Sequence, residues 1–237
     1  MISFTFISRK GSRKNNEDCV DVFYQDGKYL FALADGLGGH SSGDIASSLV
    51  ISKAIEVYKS AQNEDCLAEC FTEAQSALMD EQLQRNIDMK TTLVLLSLNN
   101  GRADWGHIGD SRLYIFDSGK LISRTNDHSV PQMLVHTGEL REKDIRFHPD
   151  RNRLLRVMGT EWDSPRYEIS SNQVSTQGMS YLLCTDGFWE LINEKEMCRY
   201  LHHAKSTDEW LADMERKVIK NGKGKNMDNY SAIGVWR

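Results

Sequence analysis

Five segments of this 237-residue chain place acidic residues where an apolar run meets a turn. Asp35 ends the run "LFALAD" and leads into "GLGGHSSGDIASS". Asp186-Gly187 ends "YLLCTDG", and Gly109-Asp110 interrupts "WGHIGDSRLYIF". Asp228 stands before "NYSAIGVW", and Glu17-Asp18 before "CVDVF". Taken singly, each reads as a cap, a turn residue or a solvated pair. Brought together, they would repel one another strongly unless something neutralised them. A cation is the natural counterpart, and an all-oxygen donor set suits Mg2+ or Mn2+ rather than zinc. Other uses of the glycine-rich turn after Asp35 fail on spacing. A dinucleotide frame gives Gly36, Gly38 and then Ser41 where a third small residue is needed, and no G-x-x-x-x-G-K-[ST] loop occurs. Leu37 and Gly39 occupy positions that an EF-hand would fill with oxygen ligands.

The elements that must position these acids are legible as short runs. Strands are predicted at Ser3–Ile7, Val20–Tyr24 and Lys28–Ala34. Two amphipathic helices follow, one with Ala46, Leu49, Val50, Ala54, Val57 and Tyr58 on a face, the other with Leu67, Cys70, Phe71, Ala74 and Leu78. Four successive strands are predicted at Thr91–Leu98, Arg102–Ile108, Leu113–Phe116 and Lys120–Arg124, with turn sequences at Asn99-Asn100-Gly101 and Asp117-Ser118-Gly119. A polar, helical stretch is expected from about Val130 to Met158. Strands at Pro165–Ser170 and Ser180–Cys184, helices at Glu190–His202 and Asp208–Lys220, and a last strand at Ser231–Trp236 complete the reading. Hairpin-linked strands and helices grouped in pairs imply antiparallel sheets with helical layers outside, an α+β pattern.

The composition narrows the classes. The net charge of −5 argues against nucleic acid or a membrane surface as partner. The opening "ISFTFI" is too short for a signal peptide or a span, and no later apolar run approaches about 18 residues, so a cytoplasmic protein is expected. The five cysteines, an odd count, read as reduced thiols; Cys66 and Cys70 share a helix face without two further ligands nearby for zinc. His107, His136 and His148 read as structural or exposed, the pair His202-His203 as a helix end, and the five tryptophans as packing.

Laid out together, "RKNNED", "ADGLGGHSSGDIAS", "TTLVLL", "GHIGDSRLY", "NDHS", "RLLRVMG", "CTDGFWE" and "DNYSAI" resemble, in order, the metal-dependent protein serine/threonine phosphatases of the PPM or type 2C family, with "DGLGGH" closest in form to the bacterial branch. The resemblance runs from Arg13 to Ile233 and implies one domain over residues 1–237. The implied fold is a four-layer α-β-β-α sandwich of two antiparallel sheets flanked by helix pairs, with a flap-like segment at about 129–154. By this resemblance Asp35 bridges two Mg2+ or Mn2+ ions, Glu17 and the Gly36 carbonyl serve one, and Asp186 and Asp228 the other. Asp110, shared with Asp186, matches a third, weaker site. Asp18 would hold metal-bound water, and Arg13 the substrate phosphate. Some family members carry a histidine directly after the Asp-Gly pair as proton donor to the leaving group; here that position is Leu37, and His40 is the candidate. The implied activity is hydrolysis of phosphoserine or phosphothreonine by a metal-activated water. The implied partner is a phosphorylated protein substrate, opposing a serine/threonine kinase. The alternatives are a non-catalytic phosphoprotein-binding relative, disfavoured by the complete set Asp35, Asp186 and Asp228, and a phosphatase of small phosphoesters.

Overall fold

The computed structural model of the chain describes residues 2–37, 42–61, 65–175 and 177–237. Among them the order is β1 (Ser3–Arg9), β2 (Asp18–Gln25), β3 (Lys28–Leu37), α1 (Gly43–Ser60), α2 (Leu67–Arg85), β4 (Lys90–Thr91), β5 (Leu93–Asn99), β6 (Arg102–Ile108), β7 (Arg112–Asp117) and β8 (Lys120–Arg124). Then come α3 (Val130–His136), a 3-10 turn at Glu142–Phe147, β9 (Glu168–Val174), β10 (Met179–Cys184), α4 (Asp186–Trp189), α5 (Glu194–His203), α6 (Thr207–Gly222) and β11 (Tyr230–Trp236). No helix among the described residues is long and apolar enough to cross a membrane.

Two antiparallel sheets result. One is ordered β1-β11-β10-β7-β8, the other β2-β3-β5-β6-β9 with β4 beside β3. Strand alternation sends successive side chains to opposite faces, so a run apolar at every position must be covered on both. β3 shows this. Leu30, Ala32 and Ala34 pack into a core with α1 and α2, while Phe31 and Leu33 enter a second core between the sheets. On β11, Ile233 and Val235 reach that same inner core, and Ala232 faces a third core formed with α5 and α6 around Trp210, Leu211 and Met214. The layers are therefore helix pair, sheet, sheet, helix pair. Three hairpins turn at Asp26-Gly27, Asn100-Gly101 and Ser118-Gly119, both central residues at positive φ, the backbone that matches strand twist in a two-residue turn.

The expected strands all occur, with shifted ends. The run expected as Thr91–Leu98 breaks at Thr92, between β4 and β5. The helix expected at Glu190–His202 starts later, as α5 at Glu194, from a capping box in which Asn193 and Glu196 satisfy one another's backbone amides; the short α4 ends just before the expected start. The expected helix from Val130 to Met158 is a correction. Only α3 and the short 3-10 turn are helical there. Gly138, at φ +81°, ends the first helical piece, and the residue before Pro149 is disfavoured from helical geometry. The chain then turns through 149–152 and runs back, with isolated bridges pairing Ser129 to Leu154 and Thr91 to Met158.

Candidate active site

The strand ends bring the acids together. Asp18 opens β2 directly opposite Asp35 on β3. β10 and β11 are antiparallel neighbours, so Asp186, after the first, and Asp228, before the second, come to the same end. Asp110 lies where the chain passes from β6 in one sheet to β7 in the other. A cavity of about 350 Å³ at this end is lined by Arg13, Glu17, Asp35, Gly36, Asp110, Asp186 and Asp228. Asn152 and Leu154, on the returning arm of the 129–154 segment, add to its wall. Asp18 is buried behind the lining, 8% exposed. His40 lies outside the described residues.

The backbone around Asp35 is clasped by two threonines. Thr92 accepts from the Asp35 amide through Oγ1 at 2.9 Å and donates its own amide to the Asp35 carbonyl at 2.9 Å. Thr91 Oγ1 donates to the same carbonyl at 2.8 Å. Thr92 Oγ1 and Ser111 Oγ, 2.7 Å apart, tie this strand end to the residue after Asp110. Gly36 has a packing reason to be small: a Cβ there would lie 2.1 Å from the Gly43 carbonyl oxygen, where α1 begins. Asn229 holds the opposite rim. Its Oδ1 accepts from the Glu17 amide at 2.8 Å, and its Nδ2 donates to the carbonyls of Lys10 and Asn15, each at 2.9 Å. Thr185 Oγ1 donates to Asp18 Oδ2 at 3.0 Å. These positioning residues sat unread inside "TTLVLL", "CTDGFWE" and "DNYSAI"; Thr185 and Asn229 each stand beside an acid in sequence, whereas Thr91 and Thr92 leave no such signal.

The site carries more negative charge than its surroundings compensate. Burial pushes Asp18 up to about 7, against the hydrogen bond from Thr185, with Asp186 and Asp228 adding repulsion. Burial, then Glu190 and Asp228, push Asp186 up to about 7. Asp35 and Asp110 are held well above the ordinary carboxylate range, burial again leading and neighbouring acids following. Asp18 Oδ1 is buried without a hydrogen-bond partner. Arg13 is the one cation seen to pair inside the ring among the described residues, its Nε and Nη2 donating to Asp228 at 2.8 and 2.7 Å. Crowded, desolvated oxygen donors with an orphaned carboxylate oxygen fit hard divalent cations.

A consequence follows for the metal-free protein. A carboxyl whose folded pKa exceeds its unfolded one binds more protons when folded, so stability falls as pH rises between the two values. For Asp18 and Asp186 that window runs from about 4, the ordinary aspartate value, to about 7. Thermal melts of chelator-treated protein should show Tm declining from pH 5.5 to 8, and added Mn2+ should reverse the decline. A Tm that rises over this range would refute the reading.

The Protein phosphatase 2C family model matches residues 8–226. The chain is 31% identical over 209 residues to the serine/threonine phosphatase stp of Listeria welshimeri, covering 83% of this chain and 81% of that one. It is 31% identical over 194 residues to the serine/threonine protein phosphatase PstP of Mycobacterium tuberculosis; 80% of this chain is covered, and the chain spans about a third of that relative's length, 36%. Among solved structures, the catalytic domain of the serine/threonine protein phosphatase PstP in complex with two manganese ions superposes with a TM-score of 0.82 at 26% identity, over 99% of this chain and 97% of that one. With the two-sheet sandwich and the acidic pocket at its end, these matches identify the chain as a member of the protein phosphatase 2C family.

Proposed function

We propose that this protein is a metal-dependent protein phosphatase that hydrolyses phosphoserine and phosphothreonine in protein substrates. The carrying observation is the convergence of Glu17, Asp35, Asp110, Asp186 and Asp228, distant in sequence, on one cavity beside Arg13. Glu17, Asp35, the Gly36 carbonyl, Asp186 and Asp228 would hold two Mg2+ or Mn2+ ions, and Asp110 with Asp186 a third. When bound, such ions supply positive charge for the phosphate oxygens and lower the pKa of water. The chain's own groups do the rest. Asp18, with Oδ2 held by Thr185 and Oδ1 left without a hydrogen-bond partner, would hold a water beside the ions. Arg13 presents a planar fork of donors, which matches two phosphate oxygens as it matches Asp228 here. His40, four residues after Gly36 in sequence, is the proposed proton donor to the leaving oxygen. We place the activity in a single domain spanning residues 1–237, in the cytoplasm of a bacterium, opposing a serine/threonine kinase in signalling, without nucleic acid or membrane partners. The complete acid set favours this over a non-catalytic phosphoprotein-binding relative.

The test is hydrolysis of a phosphothreonine peptide with Mn2+, with Mg2+ and with chelator. Turnover that needs a divalent ion supports the proposal; binding without turnover under all three conditions would support the non-catalytic reading instead. Arg13→Ala should raise KM about 10- to 100-fold, the worth of a charge-assisted pair at roughly 1.5–3 kcal/mol. An unchanged KM and kcat/KM would remove Arg13 from phosphate binding.

A further inference from the structure

The residue pair Asp127-His128, between β8 and α3, reaches both sides of the Gly109-Asp110 turn. His128 and Gly109 exchange two hydrogen bonds: the His128 amide donates to the Gly109 carbonyl at 2.9 Å, and the Gly109 amide donates to His128 Nδ1 at 3.1 Å. Gly109 stands at φ +103°, and a Cβ on it would lie 2.5 Å from Thr92 Cγ2. The turn is thus of a kind that only glycine adopts readily, and it needs external contacts to hold one shape. On the other side Asp127 grips Arg112, whose guanidinium lies 3.4 Å from the ring centre of Trp189. Trp189 Nε1 donates to the Asp110 carbonyl at 3.0 Å. Asp110 is therefore held through its backbone from two directions. The His128 carbonyl also accepts from the Leu155 amide at 2.8 Å, one residue beyond Leu154 of the pocket wall.

His128, His107 and Glu168 also bring ligand-type atoms within 4.8 Å of one another, which raises a cation site as a rival reading. The geometry speaks against it. The two imidazoles stack at 4.6 Å with planes 9° apart, so their in-plane lone pairs run side by side instead of converging on a point. Nδ1 of His128 is already an acceptor for Gly109, so in the neutral ring Nε2 carries the proton, and it faces Glu168 Oε1 at 3.2 Å. That contact with Glu168 is proximity and not a well-aligned hydrogen bond, whereas His107 Nε2 is engaged, 2.7 Å from the Asn126 carbonyl. Burial, with His107 adding to it, lowers His128 to about 4, which keeps the ring neutral and Nδ1 an acceptor at neutral pH.

We infer that His128 is a positioning residue for Asp110, acting through the Nδ1 bond to the Gly109 amide and joining the Asp110 turn to the returning arm of the 129–154 segment. The proposal rests on the phosphatase reading for its kinetic arm only. The test compares His128→Asn, whose Oδ1 can stand where Nδ1 stands, with His128→Gln, whose polar atoms fall near Nε2. Amide exchange at Gly109, followed by NMR in metal-free protein, should stay slow in wild type and His128→Asn. It should quicken at least tenfold in His128→Gln, the loss of one buried hydrogen bond. With a phosphothreonine peptide and saturating Mn2+, His128→Gln should lose kcat about 10- to 100-fold, in the range of outer-shell partners, and His128→Asn should retain it. In an Asp110→Asn background the glutamine change should cost little more, because a residue that acts through Asp110 has nothing left to act on. Equal exchange and equal kcat in the two His128 variants would overturn the inference, as would additive losses in the double variant or fast Gly109 exchange in the wild type. A wild-type protein inactive on phosphopeptides would overturn the phosphatase reading, and the exchange arm would then decide the brace alone.

Discussion

Asp35→Asn should abolish phosphopeptide hydrolysis at every Mn2+ concentration while leaving the protein folded. Asp35 is the acid to which the most neighbours contribute. Asp18, Asp186, Asp110 and Asp228 all raise its pKa and so oppose its ionisation, after burial itself. A carboxylate placed among so many others is costly in the free protein and serves as a ligand only when cations share the site. Amide replacement keeps the shape and the two threonine contacts, which act on the Asp35 backbone and not on its side chain. It removes one charge from the donor set. If the ions contribute several kcal/mol to the transition state, the loss is on the order of a thousandfold or more, at tenfold per 1.36 kcal/mol. The same change relieves repulsion in the free protein, so the metal-free Tm should hold or rise. Asp21→Asn, at an exposed position of the same sheet, is the control and should behave as wild type. Unchanged turnover in Asp35→Asn would defeat the bridging assignment, and a fall in metal-free Tm would defeat the electrostatic account.

Much of this was legible because burial on both faces writes a strong signal. β3 and β5 sit between a helix layer and another sheet, so their runs are almost continuously apolar, and the acid that ends the run in β3 stands out. The pairing of strands was not legible: β1 joins β11 across the length of the chain, and nothing local announces that. The segment from Val130 to Met158 misled because its polar, unpatterned composition carries no period. Its shape comes from Gly138, Pro149 and bridges to residues far away, Thr91 among them. The ligand-type acids could be listed from sequence, but their supports could not. Thr92, Thr185, Asn229 and His128 act through backbone groups or second contacts, and a hydroxyl, amide or imidazole has no preferred spacing for such work. The Arg13–Asp228 pair was hidden for a different reason. In the structure Arg13 answers the negative charge of Asp228, a role that resemblance to a metal-loaded site does not suggest.

The brace behind Asp110 supplies the largest stability effect expected of a single charge. Arg112 and Asp127 form a bidentate pair at 2.7 and 2.6 Å, with side chains 3% and 1% exposed. Burial opposes the arginine's charge, yet Asp127 and Tyr114 beside it more than offset this and hold its pKa well above the ordinary value. Tyr114 Oη accepts a further bond from Nη1 at 2.9 Å. Removing the carboxylate alone strands a guanidinium in the core with no other carboxylate paired to it among the described residues. Asp127→Ala should therefore destabilise the protein by about 3–5 kcal/mol, a Tm drop of roughly 10 °C or more for a domain of this size. The double change Arg112→Met with Asp127→Ala removes both charges and keeps apolar bulk against Trp189. It should recover a large part of the loss, since breaking a buried pair costs more than deleting it. Denaturant melts of the three proteins decide the matter. A loss below about 1 kcal/mol in Asp127→Ala, the range of exposed pairs, would mean that water reaches Arg112. A double variant no more stable than Asp127→Ala would mean that packing around Trp189, and not the stranded charge, sets the cost.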